Sequence, residues 1–171
     1  MRKIIINAFG PDKTGIVYQL SKIILGLNGN IENSKMIRME SDFAILMLVA
    51  ISKNNISELE NKLKEIKDFN IYIKETDQFN KNIKYTKYTF AIDVADNEGI
   101  IYSFTELFKN KKINIEKMET EIKNAPISGF PMFILRTVIK IPNNLDIDDF
   151  KTSLKKIAKP NNVDYILELA K

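Results

Sequence analysis

The sequence contains no cysteine and no histidine. Their absence removes disulfide staples, thiolate and imidazole metal ligands, cysteine nucleophiles and every catalytic scheme built on a histidine base. A chain without cysteine also fits a reducing compartment, and a cytoplasmic location is expected. Long apolar runs are missing too. The opening Met1-Arg2-Lys3-Ile4-Ile5-Ile6 breaks at Asn7, too short for a signal-peptide core or a membrane span, so no membrane association is expected. Charge of one sign is hardly in excess: 26 Lys+Arg against 22 Asp+Glu leave a net +4 over 171 residues. Lysine alternates with glutamate and aspartate along the candidate helices instead of gathering on one face, which argues against direct nucleic-acid contact.

What is present is a globular composition, 44% hydrophobic and 28% charged, in a length that suits one ordinary domain or two very small ones. Internal similarity decides for two. At an offset of 84, Asp12, Gly15, Ile16, Asn30, Ile31 and Glu32 recur as Asp96, Gly99, Ile100, Asn114, Ile115 and Glu116. At an offset of 90, Phe43-Ala44-Ile45-Leu46 aligns with Phe133-Ile134-Leu135-Arg136. At 91, Leu59, Leu63 and Ile66 align with Phe150, Leu154 and Ile157. Order is kept across half the chain and length changes fall in connecting loops, so two copies of one unit are expected. The boundaries that follow are 1–76 for the first, a polar, lysine-rich linker over 77–87, and 88–171 for the second.

Each copy reads strand, helix, strand, strand, helix, strand. In the first, Lys3–Ala8 is an apolar run ending at a Gly-Pro turn, and Ile16, Leu20, Ile23, Ile24 and Leu27 recur at helical spacing. Gly29-Asn30 closes that helix as a left-handed glycine would. Ile31–Glu40 and Phe43–Ser52 are extended runs around a tight Ser41-Asp42 turn. Ser57 is the expected cap of a second helix, with Leu59, Leu63 and Ile66 on its inner face, and Phe69–Lys74 is a final strand. The second copy repeats this over Tyr88–Val94, Glu98–Asn110, Ile113–Lys123, Pro131–Ile141, Asp146–Ala158 and Val163–Leu169. The fold class is α+β: two tandem ferredoxin-like βαββαβ units, each a four-stranded antiparallel sheet with two helices on one face. Phe43–Ile51 is apolar on both sides, which calls for sheet packing or subunit association over the other face.

Two turns carry candidate chemistry. Gly10-Pro11-Asp12-Lys13-Thr14-Gly15 and Ala95-Asp96-Asn97-Glu98-Gly99 both place Asp-x-x-Gly between the first strand and first helix. A glycine at a helix mouth leaves backbone N–H groups open to a carboxylate, and an aspartate three residues earlier suits an ammonium group. The same spacing also fits helix caps at Asp12 and Asp96, with Gly15 and Gly99 admitting close packing. Asn30 and Asn114 could donate to a ligand carboxylate, or could simply tolerate a left-handed turn.

Together, Gly10–Val17, Gly29–Met36 and Phe43–Met47, with the loop Asn124–Phe133 of the second copy, resemble the ACT domains of the glycine cleavage system transcriptional repressors, over nearly the whole chain. The resemblance implies an amino-acid-responsive regulatory protein that is not an enzyme and needs no cofactor. Its effector would be a small amino acid, glycine or serine-like, held at an interface between ACT units. Carried across by position, the ligand-binding residues would be Asp12, Gly15 and Asn30 in copy one and Asp96, Gly99 and Asn114 in copy two. Many ACT sites have asparagine where this chain has Asp12 and Asp96. A homodimer and a DNA-binding regulator protein are the implied partners, and the sequence carries no helix-turn-helix of its own. A protein-interaction scaffold without a ligand is the alternative.

Other readings are weaker. An RNA-binding unit of this topology shows stacking aromatics on its third strand, whereas Phe43–Ile51 and Phe133–Ile141 have one leading Phe each. An acylphosphatase-like site needs an arginine in the first turn, where only Lys13 stands. Glu119 and Glu121 would share a strand face with Glu116 opposite, and Asp146, Asp148 and Asp149 sit at a helix start, so neither cluster is expected to bind metal. Met36, Met39, Met47, Met118 and Met132 read as core filler.

Overall fold

The computed structural model describes residues 1–76, 84–95, 99–125 and 129–170. The chain divides into two compact units, Met1–Asn80 and Lys81–Lys171. The first runs β1 (Arg2–Pro11), α1 (Ile16–Gly26), β2 (Asn30–Met39), β3 (Asp42–Ile51), α2 (Ile56–Lys64) and β4 (Asn70–Thr76). The second runs β5 (Tyr85–Ala95), α3 (Ile100–Asn110), β6 (Asn114–Asn124), β7 (Pro131–Pro142), α4 (Ile147–Ala158) and β8 (Asp164–Leu169). Their sheets are ordered β2-β3-β1-β4 and β6-β7-β5-β8, with every pairing antiparallel. Each is a ferredoxin-like unit.

Alternation along the central strands decides which face is dry. Ile4, Ile6 and Ala8 of β1 and Ile45, Met47, Val49 and Ile51 of β3 are buried against Ile16, Leu20 and Ile24 of α1 and Leu59 and Leu63 of α2. In the second unit Phe90 packs with Phe104 and Phe108, ring centroids 5.0 and 5.5 Å away, and Phe150 and Leu154 of α4 close the cluster. Tilted and edge-on aromatic contacts of this kind add about 0.5–1.5 kcal/mol beyond area burial. Thr137 is buried in this apolar layer, and its hydroxyl donates to the Lys117 carbonyl at 2.6 Å.

Several local expectations are corrected. The strand β1 does not stop at a Gly-Pro turn but runs through Pro11, because Gly10 and Pro11 still lie opposite Phe43 and Asp42. Ser57 is not a cap: it lies inside α2, a short 3₁₀ turn at Lys53–Asn55 leads into the helix, and Asn55 instead donates to the Leu27 carbonyl. The left-handed residue after α1 is Asn28, φ 53°, matched by Lys112, φ 57°, in the second unit. Gly29 is needed for another reason, since a Cβ there would stand 2.9 Å from the Ile24 side chain. The hairpin turn is Glu40-Ser41, one residue earlier than expected, with Glu40 at φ 53°. Of the expected linker 77–87, residues 77–83 lie outside the described residues. Tyr85, Thr86 and Lys87 belong to β5, opposite Pro142, Ile141 and Lys140.

Candidate functional site

The first loop of unit one is fastened from below. Gly10 lets the Asp68–Phe69 turn approach so closely that a Cβ would stand 2.4 Å from the Asp68 carbonyl oxygen, and Lys13 pairs with Asp68 at 3.2 Å. The loop then ends at Gly15, φ 95°, the N-cap of α1. Nothing lies within 4 Å of where its Cβ would stand, so the glycine is required by backbone conformation and not by close packing. Gly99 repeats this at the mouth of α3, with φ 80° and the same open space.

Among the described residues, these two helix mouths are left without a side-chain acceptor. Gly15 and Gly99 supply none, and neither helix has an acidic residue in its first turn. Asp12 does not cap α1. Its backbone N–H donates to the Ser41 carbonyl at 2.8 Å, and its carboxylate lies 4.0 Å from the Arg38 guanidinium. By contrast α4 is closed by its own Asp146, whose side chain accepts from the N–H groups of Asp148 and Asp149. The first-turn amides of α1 and α3 therefore have no side-chain acceptor among the described residues, with the positive end of the helix behind them. Asp96 lies outside the described residues.

Asn30 is the first residue of β2, opposite Ala50, and Asn114 is the first of β6, opposite Lys140. Neither takes a left-handed conformation. The register puts Asn30 at the opposite end of the strand from Met39, which sits beside Asp42 and hence beside Pro11 and the Asp12–Gly15 loop. At about 3.3 Å per residue, β2 separates Asn30 from Met39 by about 30 Å, so within one unit Asn30 and Asp12 lie at opposite ends of the sheet. Asp12 and Gly15 come together; Asn30 does not join them. In unit two Gly99 and Asn114 are parted in the same way.

One recurrent pair gains a role that its sequence position did not suggest. Both β2 and β6 shift register just past the asparagine, between Ile31 and Asn33 and between Ile115 and Lys117, so Glu32 and Glu116 are bulge residues. Glu32 pairs with Lys3 at 2.7 Å, and Glu116 with Lys87 at 2.8 Å and Lys140 at 3.2 Å. The hydrogen bond from Lys87 holds the Glu116 carboxyl below the usual range, and Glu116 raises Lys87 in turn. The bulge also corrects the parity expected for the Glu116, Glu119 and Glu121 cluster, since it turns Glu116 onto the lysines of the sheet face opposite the helices. Glu119 and Glu121 are paired with Lys117 and Lys123. Recurrence of Glu32 and Glu116 at one offset was the signal available in the sequence.

Among the described residues no group of three or more acidic side chains is placed to hold a metal. Two surface depressions, of about 120 and 110 Å³, lie elsewhere. One is lined by residues that include Asp93, Arg136 and Tyr165, the other by Glu60, Leu63 and Tyr72. In the first, the Arg136 guanidinium donates to both Asp93 oxygens, one contact at 3.0 Å, which lowers the Asp93 pKa. That cation is already satisfied.

The ACT-domain family profile matches residues 2–73, the first βαββαβ unit as far as the middle of β4. Over 68 residues the chain is 35% identical to a UPF0237 protein of Methanococcus maripaludis, covering 76% of that protein and 39% of this one. The chain belongs to the ACT-domain proteins. It carries the unit in tandem. A longer match spans both ACT units: the glycine cleavage system transcriptional repressor of Escherichia coli is 24% identical over 163 residues, 93% of this chain and 85% of that protein. A crystal structure of an unknown protein from Galdieria sulphuraria superposes with a TM-score of 0.87 at 25% identity, covering 99% of each chain. A structure provisionally assigned to the glycine cleavage system transcriptional repressors gives 0.70 at 19% identity, covering 99% of this chain and 98% of that one. No helix of the described residues is long and apolar enough to cross a membrane.

Proposed function

We propose that this tandem ACT protein is an amino-acid-responsive regulator, not an enzyme, that holds glycine or a serine-like amino acid where two copies meet edge to edge. One observation carries the reading. The residues suited to the ligand's charges lie at opposite ends of β2, and β2 is the edge of its sheet. When the β2 strands of two copies run antiparallel, the Asn30 end of one lies against the Met39 end of the other, beside its Asp12–Gly15 loop. The ligand carboxylate then sits on the open first-turn amides of α1, its ammonium group faces Asp12, and the Asn30 amide of the partner subunit closes the site. Asp96, Gly99 and Asn114 serve in the same roles at the second unit. Aspartate, where many ACT sites have asparagine, favours a ligand that brings its own ammonium charge.

The E. coli relative is named for transcriptional repression, and in this reading the chain also acts on gene expression, through a DNA-binding regulator protein as partner. About half of its lysines and arginines are held in ion pairs such as Lys3–Glu32, Lys87–Glu116 and Arg136–Asp93. The test is a melting screen. A ligand that binds the folded state at one hundred times its Kd adds about 2.7 kcal/mol, a shift of several degrees. Glycine or serine at millimolar concentration is expected to raise Tm, and Asp12→Ala or Asp96→Ala to shrink the shift. No shift with any common amino acid would leave the scaffold reading in place of this one.

A further inference from the structure

The two units share a frame, so differences on equivalent surfaces show where one unit meets a demand that the other does not. The sheet face away from the helices can be read row by row from the register. In unit one the rows are Asn33, Leu48, Ile5 and Lys74, then Lys35, Leu46, Asn7 and Tyr72, then Ile37, Ala44, Phe9 and Asn70, with Met39 beyond. Its middle is apolar and wet: Leu46 is 47% exposed, Phe9 48%, Ile37 53%, Met39 63% and Tyr72 65%. These five side chains leave on the order of 500 Å² of largely apolar surface in water, the upper end of what a monomer leaves uncovered. In unit two the positions equivalent to Phe9, Leu46, Ile37 and Met39 are Asp93, Arg136, Glu121 and Lys123, and these pair among themselves as Arg136–Asp93 and Lys123–Glu121. Only at the position of Tyr72 does unit two keep an exposed apolar side chain, Ile166, so its face is charged where that of unit one is apolar.

Charge on the face of unit one says what covers it. Lys35 and Lys74, one on each edge strand, flank the apolar centre, are exposed, and make no ion pair among the described residues. The remaining lysine, Lys3, is already held by Glu32. The only other carboxylate on these strands' open face is Asp42, at the end of β3 and hydrogen-bonded by Ser41. Two such faces pressed together would dry four unpaired lysines with almost nothing to neutralise them. A second copy joined along β2 extends the sheet and leaves this face free. We propose that the open sheet face of unit one docks a different protein, one whose contact surface is apolar at its centre and acidic at its rim. This rests on the reading of the chain as a regulator that works through a partner, and it locates the partner's seat.

The experiment selects displayed 12-residue peptides on the immobilised full-length chain. Enriched peptides are expected to carry apolar residues flanked by Asp and Glu, and to bind less tightly as salt is raised. Leu46→Glu, at an exposed position, is expected to weaken them at least tenfold. The double variant Lys35→Glu/Lys74→Glu leaves the apolar centre intact and is expected to switch the selection to basic peptides. Glu119→Lys, the position equivalent to Lys35 in unit two, should change nothing. The proposal is overturned if no such peptides enrich, if they bind Leu46→Glu as well as the parent chain, or if light scattering shows Leu46→Glu dissolving a dimer, which would seat a second copy there. The glycine and serine melting screen, repeated on Leu46→Glu, keeps the failures apart: an intact shift with no acidic peptide rejects the docking face alone, and no shift in either chain rejects the sensor.

Discussion

Gly10 and Gly15, five residues apart, are required for opposite reasons. A methyl group at Gly10 runs into backbone, the Asp68 carbonyl, which cannot swing away, whereas Gly15 has empty space and a positive φ. Gly10→Ala should therefore cost about 3 kcal/mol and Gly15→Ala about 1–2 kcal/mol, read as shifts in denaturation midpoint at constant m. Equal costs would contradict the account. Single residues also set the acid limit of unit two. Arg136 lowers the Asp93 pKa, Lys87 that of Glu116 and Lys111 that of Asp149, each by a hydrogen bond to the carboxylate. A folded pKa held below the unfolded value contributes stability above the unfolded carboxylate range and loses it as pH falls through the folded value. Thermal stability is expected to drop between about pH 5 and 3, and Asp93→Asn should flatten that slope while lowering Tm at pH 7. An unchanged slope would show the pair to be energetically silent.

Helices and strands were legible in the sequence to the degree that their signals were periodic. The repeat offsets, the 3.6-residue spacing of Ile16, Leu20 and Ile24 and the alternation in β1 and β3 mark a face that must be buried, and burial is what the fold optimises. Element ends were harder, because they turn on one hydrogen bond or one dihedral. Ser57 looked like a cap, yet Asn55 closes the turn before α2, and the left-handed residue after α1 is Asn28, not Gly29. The candidate site was half legible. Asp12 and Gly15 belong to one loop and can be read together, whereas the distance to Asn30 depends on strand register, which composition does not encode. Nor did alternation foresee the bulges at Glu32 and Glu116, since a bulge breaks the parity on which alternation rests. Among the described residues, α4 is the helix closed by its own aspartate. Asp146→Ala should cost about 1 kcal/mol, while Asp12→Ala, which removes no cap, should cost less than half of that in the absence of ligand. Equal losses in urea unfolding would restore Asp12 as a structural residue.

For the whole molecule, duplication supplies two copies of one frame whose open sheet faces carry different residues. Both keep a glycine-opened helix mouth, an asparagine at the start of the edge strand and a lysine-held glutamate just after it. Unit one leaves Phe9, Leu46, Ile37 and Met39 exposed on its open sheet face, where unit two has Asp93, Arg136, Glu121 and Lys123. A sensor that binds its effector across the β2 edges and its partner on the sheet face can couple the two, because a ligand that favours the paired form changes how rigidly that face is presented. The central claim is that Asp12 and Asn30 serve one ligand from two different copies. Calorimetric titration with glycine or serine tests it most directly, using Asp12→Ala and Asn30→Ala chains, both in an Asn114→Ala background that silences the second unit. Neither variant alone should bind, and an equimolar mixture should recover about a quarter of the sites that the Asn114→Ala chain offers, since half the dimers are mixed and each mixed dimer keeps one intact pair. A mixture as silent as its components, or binding by either variant alone, would contradict the account.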